Sequence, residues 1–401
     1  MKKDNKNLTK KISQIVVAIL VVIGVYFLGY FRGHQDLIFE KGYIPKILNK
    51  EQGKPKDLDF SLFWDVWNRI EEKYPGQLDR QKMIYGAIQG LVEGVGDPYS
   101  VFMDPTLNKE FLSEIEGSFE GIGAEVSIKN GKLTIVAPLE NSPSAKAGIK
   151  AGDLVLKIDG VDTEGMGIDE AITKIRGSKG SKVTLTIQRD NEAPRDIEMI
   201  RETIEVKSVK YEIKDNIAII EVSQFGGDTV DLMNQAADDI NNKNVKGIVL
   251  DLRNNPGGYL DSAVDVASFF IKDGLVVSEE YKDGKRDEFK ANGNAKLAGK
   301  PLVVLINEGS ASAAEIVAGA IQDHKVGRII GKNSFGKGSV QDLEEFGDGS
   351  GLRLTVAKWL TPSGRYINSE GIKTDIEVSI TSQDEAAGRD PQLERAIKEL
   401  K

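Results

Sequence analysis

Apolar and polar residues follow a different rhythm in each successive stretch of the chain. From Ile12 to Phe31 no charge interrupts the run. Twenty helical residues at about 1.5 Å each match a hydrocarbon core about 30 Å thick, so this segment predicts a transmembrane helix. Lys2, Lys3, Lys6, Lys10 and Lys11 precede it, which by the positive-inside rule holds the N-terminus in the cytoplasm and sends everything after Arg32 outward. A cleaved signal peptide is the alternative. The run exceeds a usual h-region and GYFRGHQ lacks a small-residue cleavage pattern, so an uncleaved single-pass anchor in the cell membrane, covering residues 1–34 with its tail, is expected.

Residues 35–58 are polar and weakly periodic and read as a linker ending in Gly-Lys-Pro-Lys. Residues 59–107 form a helical region. Phe60, Phe63, Val66, Trp67 and Ile70, then Met83, Ala87, Ile88 and Leu91, fall at helical spacings on either side of Tyr74-Pro75-Gly76, and Gly96-Asp97-Pro98-Tyr99-Ser100 closes the region with turn chemistry. Over 108–205 the period changes to two, in runs such as Lys132–Val136 and Val183–Ile187 separated by Gly, Asn and Asp, which predicts a mostly-β module. Over 206–382 strands alternate with helices, predicting an α/β domain with a largely parallel sheet. Such sheets carry chemistry where strands end and helices begin. Residues 383–401 are expected as a C-terminal helix.

Composition narrows the chemistry. The net charge of −9 over 401 residues argues against nucleic acid as a partner. No cysteine is present, which removes thiol nucleophiles, disulfides and Cys-based zinc sites. With only His34 and His324 available, a His-based triad or metal site has almost no material, and neither metal nor cofactor is expected.

Four stretches remain as candidates. Gly121-Ile122-Gly123-Ala124, ahead of a strand, can converge backbone N–H groups on an anion such as a terminal carboxylate, while the strand edge pairs with an incoming peptide. Asn255-Pro256-Gly257-Gly258 ends the buried-type strand around Leu250, and its glycines can expose N–H donors to a substrate carbonyl. Gly309-Ser310-Ala311-Ser312-Ala313-Ala314-Glu315 joins a strand to a helix. Taken alone, these residues favour a capping box of Ser312 with Glu315 over chemistry at a helix N-terminus. Lys337, between Gly336 and Gly338, is by itself an ordinary loop lysine, and becomes a base only if burial depresses its pKa.

Taken in order, the GDPYS turn, Ser142-Pro143-Ser144-Ala145-Lys146-Ala147-Gly148-Ile149 with Gly152-Asp153, DLRNNPGG, GSASAAE, FGKGSVQ and Thr361-Pro362-Ser363-Gly364-Arg365 closely resemble the C-terminal processing (tail-specific) proteases, peptidase family S41. The resemblance implies a PDZ domain at 108–205 and a crotonase-like α/β serine protease domain at 206–382. It implies that Gly121 to Ala124 hold the C-terminal end of a protein substrate. It implies Ser312 as nucleophile, Lys337, 25 positions later, as general base, Gln341 as the group orienting it, and Gly258 and Ala313 as oxyanion donors, with Gly257 open as the first donor. Arg176 stands where the family often has an arginine between the two domains; it either senses peptide occupancy or is a solvated surface residue. A homodimer through the helical region is expected. The rival readings are an inactive PDZ adaptor and, from the crotonase likeness, an acyl-CoA enzyme.

Overall fold

The computed structural model describes residues 4–39, 45–49 and 59–401, apart from positions 130, 140, 191 and 244. Side chains are described over 14–30 and from 59 onward, less 169 and 385 as well. The chain divides into two compact units, Met1–Arg80 and Gln81–Lys401.

In the first unit a helix runs over Asp4–His34, and every side chain described in it, 14–30, is exposed. Among the described residues no helix is long and apolar enough to cross a membrane, so on those residues the structure does not support the expected span. His34 lies at the helix end with its side chain outside the described residues. The expected linker contains an antiparallel pair, Gln35–Phe39 with Pro45–Asn49, whose apolar runs are too short to register as a period. The helix Ser61–Lys73 stops at Tyr74, which is extended at φ −73, ψ 122, as a residue before proline must be. This helix buries none of its residues, and Trp64 packs its edge against Phe63 and Trp67.

The second unit contains a small β domain and an α/β domain. In the first, antiparallel strands Ala124–Lys129, Lys132–Pro138, Leu154–Ile158, Lys182–Gln188 and Arg195–Ile200 form one sheet. Val183, Leu185 and Ile187 face inward in strict alternation and close a core with Leu133, Ile135 and Val155. A separate pair, Ser118–Gly121 with Glu202–Glu205, ties together the entry and exit of this domain.

The α/β domain is built on a six-stranded sheet. Val209–Lys214 runs antiparallel to Ile217–Val222, and Gly247–Asp251, Leu302–Ile306, Arg328–Gly331 and Ile376–Glu377 follow in parallel. Both faces of the sheet's centre are covered, which is why Gly247–Asp251 and Leu302–Ile306 are almost continuously apolar. Ile248, Leu250, Val304 and Ile306 point into the larger core with helices Thr229–Asn242, Leu260–Ser268 and Ala313–Asp323. Val249, Val303 and Leu305 point the other way, onto the C-terminal helix Pro391–Glu399 through Leu393, Ala396 and Ile397. A second sheet orders Arg286–Lys290, Leu275–Tyr281, Gly351–Leu360 and Ser339–Glu345. Val101–Met103, within the stretch expected to be helical, joins it as a strand on Gly351–Leu360. That pairing delivers the Gly96–Ser100 turn to the functional site.

Candidate active site

The strand Leu302–Ile306 ends in a tight turn that sets its two serines apart. Ser310 is completely buried, and its hydroxyl donates to Leu252 O at 2.8 Å while accepting from Asn307 N at 3.0 Å. It is a structural clamp between neighbouring strand ends. Ser312, at the N-cap of the helix Ala313–Asp323, sits at φ 52, ψ −115, a conformation that costs a non-glycine residue energy and is held by its surroundings.

Glu315 supplies much of that hold. It is fully buried, and its carboxylate accepts from Ser312 N (2.8 Å), Lys337 N (2.9 Å), Gly336 N (2.7 Å) and Ser334 Oγ (2.6 Å). Of the capping box suggested by the sequence, the Glu315 half is present as the bond from Ser312 N, while Glu315 N donates to the Ser312 carbonyl oxygen at 2.8 Å and the Ser312 hydroxyl makes no cap hydrogen bond. The same carboxylate also fixes the backbone of Ser312 relative to that of Lys337, a role that spacing along one helix could not reveal.

The Gly257-Gly258 turn closes the other side. At φ +108, Gly257 leaves no space for a side chain: a Cβ would lie 2.8 Å from Ser312 Cβ and 3.1 Å from Ala313 N. Gly258, at φ +140, lies against Phe225 O, which a Cβ would meet at 2.2 Å. Asn255 Oδ1 accepts from Gly257 N at 2.8 Å, which occupies that donor. The amides of Gly258 and Ala313 donate to no partner among the described residues.

Lys337 is partly buried and its ammonium stands over the Tyr99 ring, 5.0 Å from the centroid. Burial pushes its pKa down from the usual lysine value and the nearby Arg353 guanidinium adds to this, against the opposing fields of Asp97 and Glu315. The Trp359 indole N–H donates to Lys337 O at 2.8 Å. No hydrogen bond joins the ammonium to Ser312 among the described residues. Gln341 is on the strand Ser339–Glu345. Its amide nitrogen donates to Ser339 Oγ (2.9 Å) and Thr355 Oγ1 (3.1 Å), and a register shift at Val340/Gln341 marks the place.

Ser312, Ala313, Gly258, Lys337 and Gln341 all line one cleft of about 750 Å³. Its walls are largely apolar, with Phe111, Ile115, Phe225, Leu260, Ile316 and Val340 among them. His324 is not part of it: at the far end of the Ala313–Asp323 helix its Nε2 is 2.7 Å from Leu275 O.

A second groove, about 200 Å³, runs along the β domain past Gly121, Ile122, Gly123 and Ala124, with Val126, Ile172 and Ile175 as its apolar wall. Ile122 O accepts from Ser144 N at 2.9 Å. Gly123 O accepts from Ser142 Oγ (2.9 Å), Ser144 Oγ (2.6 Å) and Leu139 N (2.8 Å). Because a trans peptide sets N–H opposite C=O, the amides of Gly123 and Ala124 are turned away from these anchors. Ser144 is fully buried and serves as one of the anchors. Arg176 lines both groove and cleft. It is paired with Glu114 and lies 5.0 Å over the Phe119 ring, with its side chain 41% exposed.

A two-sided α/β sheet with a serine at a strand-to-helix junction, together with a small grooved β domain, fits a serine-type peptidase carrying a PDZ domain, and the comparisons with known proteins give that class. The sequence matches Peptidase family S41 over residues 216–378, a PDZ domain over 134–189, and the N-terminal domain of the activating protease CtpB over 22–106. It is 40% identical to the carboxy-terminal processing protease CtpA of Bacillus subtilis, over 83% of this chain and 72% of that protein. With the carboxy-terminal-processing protease of Bartonella bacilliformis the identity is 41% over 86% and 80%. Among solved structures, the photosystem II D1 C-terminal processing protease superimposes with a TM-score of 0.51 at 29% identity, covering 79% of this chain and 86% of that one. The chain belongs to the carboxy-terminal processing proteases of family S41, and the inactive-adaptor and acyl-CoA readings are set aside.

Proposed function

We propose that this peptidase cleaves proteins whose C-terminal end is bound in the PDZ groove, by acyl transfer to Ser312 with Lys337 as general base. The observation that carries the reading is the juxtaposition of Ser312, Lys337 and two uncommitted backbone donors, Gly258 N and Ala313 N, in one apolar cleft. Neutral Lys337 takes the Ser312 Oγ proton as the oxygen attacks the scissile carbonyl. The carbonyl oxygen, now negative, accepts from the two amides, and the lysine returns the proton to the leaving amine. Water, deprotonated by the same lysine, then releases the acyl group. Gln341 Oε1, which no hydrogen bond joins to Lys337 among the described residues, is the acceptor that would orient the lysine once it turns from Tyr99.

In the arrangement described, the Lys337 ammonium is over Tyr99, so catalysis requires it to turn toward Ser312. We read this as a resting state that occupancy of the groove relieves, with Arg176 linking groove and cleft. Peptides ending in a free carboxylate after an apolar residue are therefore expected to be cut at least about tenfold faster than the same peptides amidated, since groove N–H donors recognise charge. Equal rates for acid and amide would remove the groove from substrate selection.

The uncharged run from Ile12 to Phe31 and the lysines ahead of it are the sequence basis for a single-pass anchor that places both domains outside the cytoplasm, and the described residues add nothing to it. The full chain should then stay in the membrane pellet through alkaline carbonate extraction, and its release would exclude the anchor. The exposed aromatic face of Ser61–Lys73 supports a homodimer, read from the same preparation as its mass in detergent.

A further inference from the structure

Arg353 stands out among the sheltered arginines. Arg176, Arg189, Arg201, Arg253 and Arg395 each face a carboxylate within ion-pair distance. Arg353 is partly buried and lines the catalytic cleft, yet no carboxylate lies within ion-pair distance of it among the described residues. Its Nε donates to Tyr99 O at 3.1 Å and its guanidinium lies 5.1 Å over the Phe111 ring. These contacts fix the plane of the fork and leave both terminal nitrogens without an acceptor among the described residues.

The acidic groups nearby are engaged elsewhere. Asp97 accepts from Ser100 Oγ (2.6 Å) and Tyr99 N (3.2 Å), and Glu114 is paired with Arg176. Sheltering a cation without a counter-charge is costly, and proteins ordinarily avoid it. Burial accordingly pushes the Arg353 pKa down from its ordinary value, with only the field of Asp97 opposing.

Position decides which way the fork serves. Arg353 is opposite Leu343, and Thr355, whose hydroxyl accepts from Gln341, is opposite Gln341. Residues two apart on a strand share a face, so Arg353 is on the Gln341 side of the strand, about 7 Å further along it. A peptide laid across Ser312 and continuing along this strand passes the fork.

We propose that Arg353 forms a subsite of the cleft that binds a carboxylate of the substrate chain, supplied by an Asp or Glu side chain or by the chain terminus. A planar guanidinium fixed by stacking and left with two free nitrogens suits bidentate carboxylate recognition. The inference rests on the cleft being the substrate path.

The test is a peptide series in which Glu and Gln are exchanged at each position around the scissile bond, each peptide made with a free and with an amidated C-terminus. It is read as kcat/KM on the full chain and as binding anisotropy on the full chain carrying Ser312→Ala. At one position, or at the terminus alone, the acid should exceed its amide by about tenfold or more, the usual worth of a charge-assisted pair. That ratio should fall to within about twofold in Arg353→Gln and be partly kept in Arg353→Lys. Taking a ratio cancels any change that Arg353→Gln makes in Lys337 protonation. An Arg353-dependent ratio at an internal position assigns the carboxylate to a side chain, and one confined to the free terminus assigns it to the chain end. No acid preference anywhere in the unaltered chain, or a preference that survives Arg353→Gln, overturns the proposal. If Arg353→Gln does not fold, the unaltered chain and Arg353→Lys decide it. Binding ratios that follow Arg353 without any turnover would instead sink the proposed chemistry and leave the subsite standing.

Discussion

Ser312→Ala is expected to lower kcat/KM by more than about 10³-fold while leaving the thermal transition nearly unchanged, the signature of a lost nucleophile in an intact fold. Ser310→Ala is expected to do the reverse. Its hydroxyl is buried and bonded to Leu252 O and Asn307 N. Its loss leaves Asn307 N unsatisfied and Leu252 O with only the longer bond from Asn255 N, which costs about 1–3 kcal/mol, with cleavage retained in the molecules that fold. Kinetics and calorimetry on the two variants side by side separate these outcomes. Cleavage that survives Ser312→Ala would remove Ser312 from the chemistry.

The second large effect concerns Lys337. Only its neutral form can accept the Ser312 proton, and burial, with Arg353 beside it, holds its pKa below the ordinary lysine value. As pH falls through that lowered pKa the lysine gains a proton, so kcat/KM should decline about tenfold per pH unit on the acid side and level off above it. Lys337→Arg keeps the charge but cannot lose its proton near neutral pH, and should fall by more than about 10³-fold across the whole range. The pH dependence of kcat/KM measures both. A profile without an acid limb from a single lysine-like group, or an active Lys337→Arg enzyme, would contradict the assignment of the base.

What could be read from the sequence was local. Periodicity distinguishes the mostly-β module from the α/β domain, because each needs its own spacing of inward side chains. The motif order distinguishes Ser312 from the more conspicuous Ser310. What could not be read depends on pairings between distant parts of the chain. Tyr99 reaches Lys337 because Val101–Met103 adds to a sheet edge formed by Gly351–Leu360, a match of register that three residues in a helical context do not announce. Glu315 looks like a helix cap, and only the returning loop at Ser334–Lys337 shows that it also holds the base. Gly257 and Gly258 are equivalent in sequence; the Asn255 side chain sets them apart by occupying one amide. Arg353 carries no motif, and its lack of a carboxylate partner is a property of the folded cleft.

The central claim, covalent chemistry at Ser312, is tested most directly by trapping the acyl group. The full chain is mixed with an activated peptide ester, quenched in acid during turnover, digested, and the adduct located by fragmentation mass spectrometry. The account predicts one acyl group on Ser312, absent in Ser312→Ala and not accumulating in Lys337→Met. An acyl group on Ser310 or on any other side chain in the active enzyme would contradict it.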